Sequence, residues 1–145
     1  MNSIIIYYLY LFKHKTLVFL NMMRVIMMLF KRAACHDNSK LRFSEAKVTI
    51  PLVKESLIIN YDSIEYKNFL EKNKDALQLH YSRTDHHPEH YKNYKEMSLV
   101  ALIEMVADWK AAIKKNPNGD LNKSFEIARE KYGMSDEIID FLKTL

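Results

Sequence analysis

Two glycines and three prolines in 145 residues leave this chain few places to turn. An all-β sandwich, with its many tight turns, is disfavoured on that ground alone. The long intervals between breakers instead carry apolar residues at three-and-four spacing, opened by Ser or Asp and closed by Gly, Asn or Pro. The expected fold is all-α, a compact bundle of about five to seven helices with no sheet of consequence. With 48% apolar and 28% charged residues, the chain is expected to form a single globular domain over 1–145.

Residues 3–35 read as helical, with Leu17, Val18, Met22, Val25, Leu29 and Arg32 on three-and-four spacing. The apolar segment at 1–12 is shorter than the roughly 20 residues a membrane span needs, and Lys13-His14-Lys15 ends it. It has neither the basic start nor the small-residue cleavage site of a signal peptide. The expectation is a buried or partner-covered helix rather than a membrane anchor, and it could pair copies of the chain in a homo-oligomer. Further on, Ser44 with Glu45 could start a short helix and Pro51 open another. Asn60-Tyr61-Asp62-Ser63 signals a turn, after which Asp62 or Ser63 caps one helix running to about Tyr81. Ser82–Asp85 reads as loop and Asp85–Pro88 as a further helix start. Ser98 caps a helix over 99–115, which Asn116-Pro117-Asn118-Gly119-Asp120 stops. Leu121–Tyr132 is closed by Gly133, and Ser135 caps a last helix to about Lys143.

The net charge of +4 is mild, and no solid basic block marks a tail for long nucleic acid. A lone cysteine, Cys35, cannot form an internal disulfide, which fits a reducing, cytoplasmic setting.

Four of the six histidines, His80, His86, His87 and His90, fall within eleven residues, and a fifth, His36, precedes Asp37. Scattered surface histidines would not cluster in this way. Imidazole nitrogens and carboxylate oxygens suit Zn, Mn and Fe. The loop after His80 lets the chain fold back, so His80 and His86 or His87 can converge. Glu104 and Asp108 share one helix face. Their apolar flanks make a carboxylate pair costly to bury without a cation or strong donors. That marks Asp108 as a ligand and Glu104 as its support. The bland alternatives are a solvated turn at His36-Asp37, a solvent-facing His90, and a polar seam at Glu104 and Asp108.

His36-Asp37-x-x-Lys40, with His14 before it and Asp108 after it, resembles the HD-domain superfamily of metal-dependent phosphohydrolases. Still more similar is an uncharacterised bacterial and phage family with three blocks. These are His-Asp-x-Ser-Lys, His-Tyr…His-His-Pro-Glu-His and Ile-Glu-Met…Asp-Trp-Lys-Ala, here at 36–40, 80–90 and 103–111. The resemblance implies an HD-domain-like helical bundle holding one or two divalent ions (Mn, Fe, Mg, Co or Zn). The implied ligands are His14, His36, Asp37, His80, His86, His87 and Asp108, with Asp37 bridging if there are two ions. Lys40 and Arg83 would grip phosphate. The implied reaction is hydrolysis of a phosphate ester or anhydride in a small nucleotide-like molecule, with Asp37, Lys40, Arg83 and Glu104 in the catalytic set. Two other classes stay open: a non-haem iron enzyme of oxygen chemistry, and a non-catalytic binding protein that the metal stabilises. His14 adds a geometric demand. In one straight helix it would stand about 33 Å from His36, so the first helix is expected to break between Asn21 and Arg32.

Overall fold

A computed structural model describes residues 2–56, 59, 63–115 and 119–145. These hold seven α-helices and three short 3-10 turns, with no strand among the described residues. Internal contacts divide the chain into two units, 1–36 and 37–145.

The first unit is one helix, α1 (Ser3–Cys35), whose N-cap Asn2 accepts the Ile4 amide at 3.1 Å. The break expected between Asn21 and Arg32 does not occur. That stretch lacks both Gly and Pro, and the Asn21 side chain accepts from Arg24 Nη1 at 3.1 Å, a pair that spans one helical turn. His14 and His36 are therefore about 33 Å apart along the helix axis. His14 cannot share an ion with His36 of the same chain, which corrects its place in the ligand set. No residue of α1 is buried within the single chain, so of the buried or partner-covered helix that was expected only the partner-covered form stands open. No described helix is long and apolar enough to cross a membrane.

In the second unit, α2 (Phe43–Ser56) is one helix with Pro51 inside it, where two short helices were expected. Proline removes one bond to the carbonyl four residues back. Here Lys47 and Pro51 are both exposed, so water can serve that carbonyl. The single helix expected up to Tyr81 is instead two, α3 (Ile64–Lys72) and α4 (Lys74–Tyr81). Ser63 caps α3 by accepting the Tyr66 amide at 3.0 Å. Asn73 ends it: its Nδ2 donates to the Phe69 carbonyl at 2.8 Å, a side-chain bond that competes with the backbone ladder. The break lets α4 pack against both α3 and α2. The helix start expected at Asp85–Pro88 is a single 3-10 turn, Pro88–His90. Asn60, Tyr61 and Asp62 of the expected turn, and Asn116, Pro117 and Asn118 of the expected helix stop, lie outside the described residues.

The core lies among the last three helices: α5 (Leu99–Lys115), α6 (Leu121–Tyr132) and α7 (Asp136–Lys143). Ser98 caps α5 by accepting the Ala101 amide at 3.2 Å. Met105 and Val106 of α5 meet Phe125 and Ala128 of α6 and Ile139 and Leu142 of α7, all buried. Trp109 packs edge-on against Phe125, with ring centroids 5.8 Å apart. α6 ends at Gly133, φ 68°, where the amides of Gly133 and Met134 bond the carbonyls of Arg129 and Ala128. A Cβ there would meet nothing within 4 Å, so only the backbone conformation resists a side chain. Gly133→Ala should destabilise the protein by about 1 kcal/mol, lowering Tm by roughly 3 °C, as a thermal melt would show.

Candidate metal centre

The second unit brings five stretches together. Asp37 has φ 57°, the one positive φ outside glycine among the described residues, and a 3-10 turn over Asn38–Leu41 follows it. That turn places Lys40 Nζ 2.5 Å from Asp37 Oδ2. α2 brings Glu45, α4 brings His80 in its last turn, and α5 brings Glu104. The segment after α4 supplies His86 and His87. Thr84 Oγ1 holds its start by donating to the His80 carbonyl at 2.8 Å. His87, before Pro88, is extended at φ −96°, ψ 129°.

Asp37, His80, His86 and His87 each offer a ligand atom, and all four atoms lie within 4.8 Å of one another. His80 Nε2 is 3.0 Å from His87 Nε2 and 3.4 Å from Asp37 Oδ1. His86 Nε2 is 3.5 Å from the same oxygen, and both of these atoms are buried. Two carboxylates stand behind this set. Glu45 Oε1 is 2.6 Å from His80 Nδ1, and Glu104 Oε1 is 3.2 Å from His86 Nδ1. A carboxylate only accepts, so in each ring it places the proton on Nδ1 and the lone pair on Nε2. When both rings are neutral, their two lone pairs face the one carboxylate oxygen. A cation resolves that clash of acceptors. The spacing fits as well: ligands bound near 2.0–2.1 Å around a four-coordinate ion stand about 3.4 Å apart. A nitrogen-rich donor set of this kind suits Zn, Mn, Fe or Co better than Mg, which prefers oxygen.

Glu45 is fully buried, with no exposed surface. It accepts from Ser39 Oγ at 3.1 Å and from Arg83 Nη1 at 3.3 Å, besides its bond to His80. Burial works to raise its pKa, but the bonds from His80, Ser39 and Arg83 outweigh that and hold the carboxyl below its ordinary value. Burial, then the proximity of His86 and His80, pushes the His87 imidazole down to about 3, against a smaller upward pull from Asp37. His87 is thus neutral, the form that binds metal. Its depressed pKa sets a pH dependence for the metal-free protein. The unfolded chain takes up this proton below about 6.5 and the folded chain only near 3, so acid favours unfolding in between. Urea midpoints should fall as pH drops through that window. The His87 part of the slope is about 1.4 kcal/mol per pH unit, and His87→Gln should remove it.

Among the other residues marked in the sequence, Asp108 places a carboxylate oxygen within 4.8 Å of a His86 ring nitrogen. His36 caps the C-terminal end of α1 in the first unit. His90 stands apart, exposed, with its Nδ1 donating to the Tyr81 carbonyl at 2.8 Å. Arg83, expected to hold phosphate, directs Nη1 to Glu45 and to Ser44 Oγ. Glu45 is the residue that sequence reading missed. Nothing in its local sequence separates it from Glu55 or Glu71. Only the fold, which packs α2 on α4, does so.

The chain is thus an all-helical protein whose second unit gathers a His/Asp set able to hold a metal ion. It belongs to a family of unknown function, DUF5662, whose model matches residues 4–145. Neither a curated protein nor a solved structure matches it.

Proposed function

We propose that the protein is a metal-dependent phosphohydrolase acting on a small nucleotide-like phosphate ester or anhydride. The observation that carries the reading is the convergence of His80 Nε2, His86 Nε2, His87 Nε2 and Asp37 Oδ1, with two of the rings backed by carboxylates. The likeness of His36-Asp37-x-x-Lys40, with Asp108 after it, to the HD-domain superfamily supports the choice of phosphate chemistry. A divalent ion held by these four residues would acidify a bound water and offset charge on phosphoryl oxygens. The chain's own part is positioning. Glu45 and Glu104 fix the ring tautomers, while Arg83 and Ser39 hold Glu45 in place. Lys40 supplies the cation beside the ligands, its side chain 41% exposed and thus open to an anionic substrate.

Protein purified without a histidine tag should carry a transition metal by elemental analysis. It should release phosphate from some member of a nucleotide panel supplied with Mn, Co or Zn. Lys40→Ala should keep the metal and raise KM more than it lowers kcat. A metal-loaded protein that releases no phosphate from the panel would favour the oxygen-chemistry or binding reading. Visible absorption with oxygen-dependent turnover would single out the former.

A further inference from the structure

We propose that α1 is a membrane-surface helix that docks on anionic lipid. The charge is not spread evenly along the chain. All 18 Asp and Glu lie beyond residue 36, whereas α1 carries Lys13, Lys15, Arg24, Lys31 and Arg32 with no acid among them. The whole excess of +4 therefore arises in the first unit. Lys13, Arg24 and Lys31 are eleven and seven residues apart, which is close to whole turns, so they line one side of the helix. Phe12, Phe19, Ile26 and Phe30 line another side, about 120° round, and each is half or more exposed. Tyr7, Tyr8 and Tyr10 add exposed rings at the N-terminal end, of the kind that settle at the lipid headgroup level. Lys15 falls within the apolar side, where its long stem can carry the ammonium back to water.

Two surfaces could cover such a helix, and charge chooses between them. A second α1 packed against this one would bring only further positive charge, with no acid on either helix for these residues to meet. An anionic leaflet offers opposite charge to the basic line and an apolar boundary to the rings, the arrangement that holds helices in the plane of a membrane. At 33 residues α1 is about 50 Å long, enough to lay several turns of both sides on the lipid. The proposal is independent of the metal centre.

The test is sedimentation of the full chain with vesicles. One set is phosphatidylcholine with a third phosphatidylserine, the other phosphatidylcholine alone, and light scattering reports the oligomeric state. The expected result is binding to the first set, weak or no binding to the second, and release by salt. Replacing the basic line by Lys13→Gln, Arg24→Gln and Lys31→Gln should weaken binding by roughly a hundredfold, with the helical circular dichroism of the parent. Should that variant fail to fold, the salt dependence of the parent protein decides the matter. Equal binding to both vesicle sets, or binding indifferent to salt and to the three substitutions, would overturn the proposal. So would binding to neither set, and a stable dimer in that case would assign the surface to a second copy.

Discussion

Asp37→Asn should strip the protein of metal and of phosphohydrolase turnover together while leaving it folded. Asp37 Oδ1 lies 3.4 Å from His80 Nε2 and 3.5 Å from His86 Nε2. An amide in its place removes the only negative charge in the four-residue set and presents a poorer ligand. Asparagine also tolerates the left-handed backbone at this position, so the helical circular dichroism should not change. Metal content by elemental analysis and phosphate release are the two readouts. A variant that retains metal and hydrolyses substrate as well as the parent would end the proposed mechanism.

Glu45→Ala should be the most destabilising substitution around the site. The carboxylate is fully buried and bonded to His80, Ser39 and Arg83. Removing it leaves the Arg83 charge and the His80 Nδ1–H without that acceptor. Breaking a buried, charge-assisted set from one side costs about 3–5 kcal/mol, or roughly 10 °C in Tm for a chain of this size. Glu45→Gln separates the two roles of the residue. Its amide oxygen can still accept from His80 Nδ1, so much of the stability should return. The lost negative charge should nonetheless lower metal affinity by about 10–100-fold, measured by competition with a chelator. Equal metal affinity in the Gln variant and the parent would show that Glu45 only packs.

What could be read from the sequence was local. Ser98 and Gly133 mark the ends of α5 and α6 because a cap bonds amides or carbonyls within a few residues of itself. The clustering of His80, His86 and His87 survives folding because one short loop joins them. What could not be read depended on partners distant in the chain or on close contests within a helix. Glu45 is 35 residues from His80, and their 2.6 Å contact exists only because Asn73 ends α3 and sends α4 against α2. The Asn73 break itself turns on one side-chain bond to the Phe69 carbonyl, too small a preference to stand out in a helical pattern. Pro51 inside α2 and the straight run of α1 through Asn21 misled in opposite directions. A breaker was tolerated where solvent reaches the backbone, and a bend was expected where no breaker exists.

The left-handed turn at Asp37 has a consequence for anyone redesigning this protein. One position answers two unrelated demands: a carboxylate oxygen for the centre and a φ of 57° for the chain. A saturation scan at residue 37 should therefore give two rankings that do not agree. Ranked by resistance to urea without metal, glycine should stand first, asparagine and aspartate next, and valine and isoleucine last, because β-branched residues fit that backbone worst. Ranked by metal retention, aspartate should stand alone at the top. Consensus or stability-guided editing that scores only the first ranking would favour glycine at 37 and would erase the centre while yielding a more robust protein.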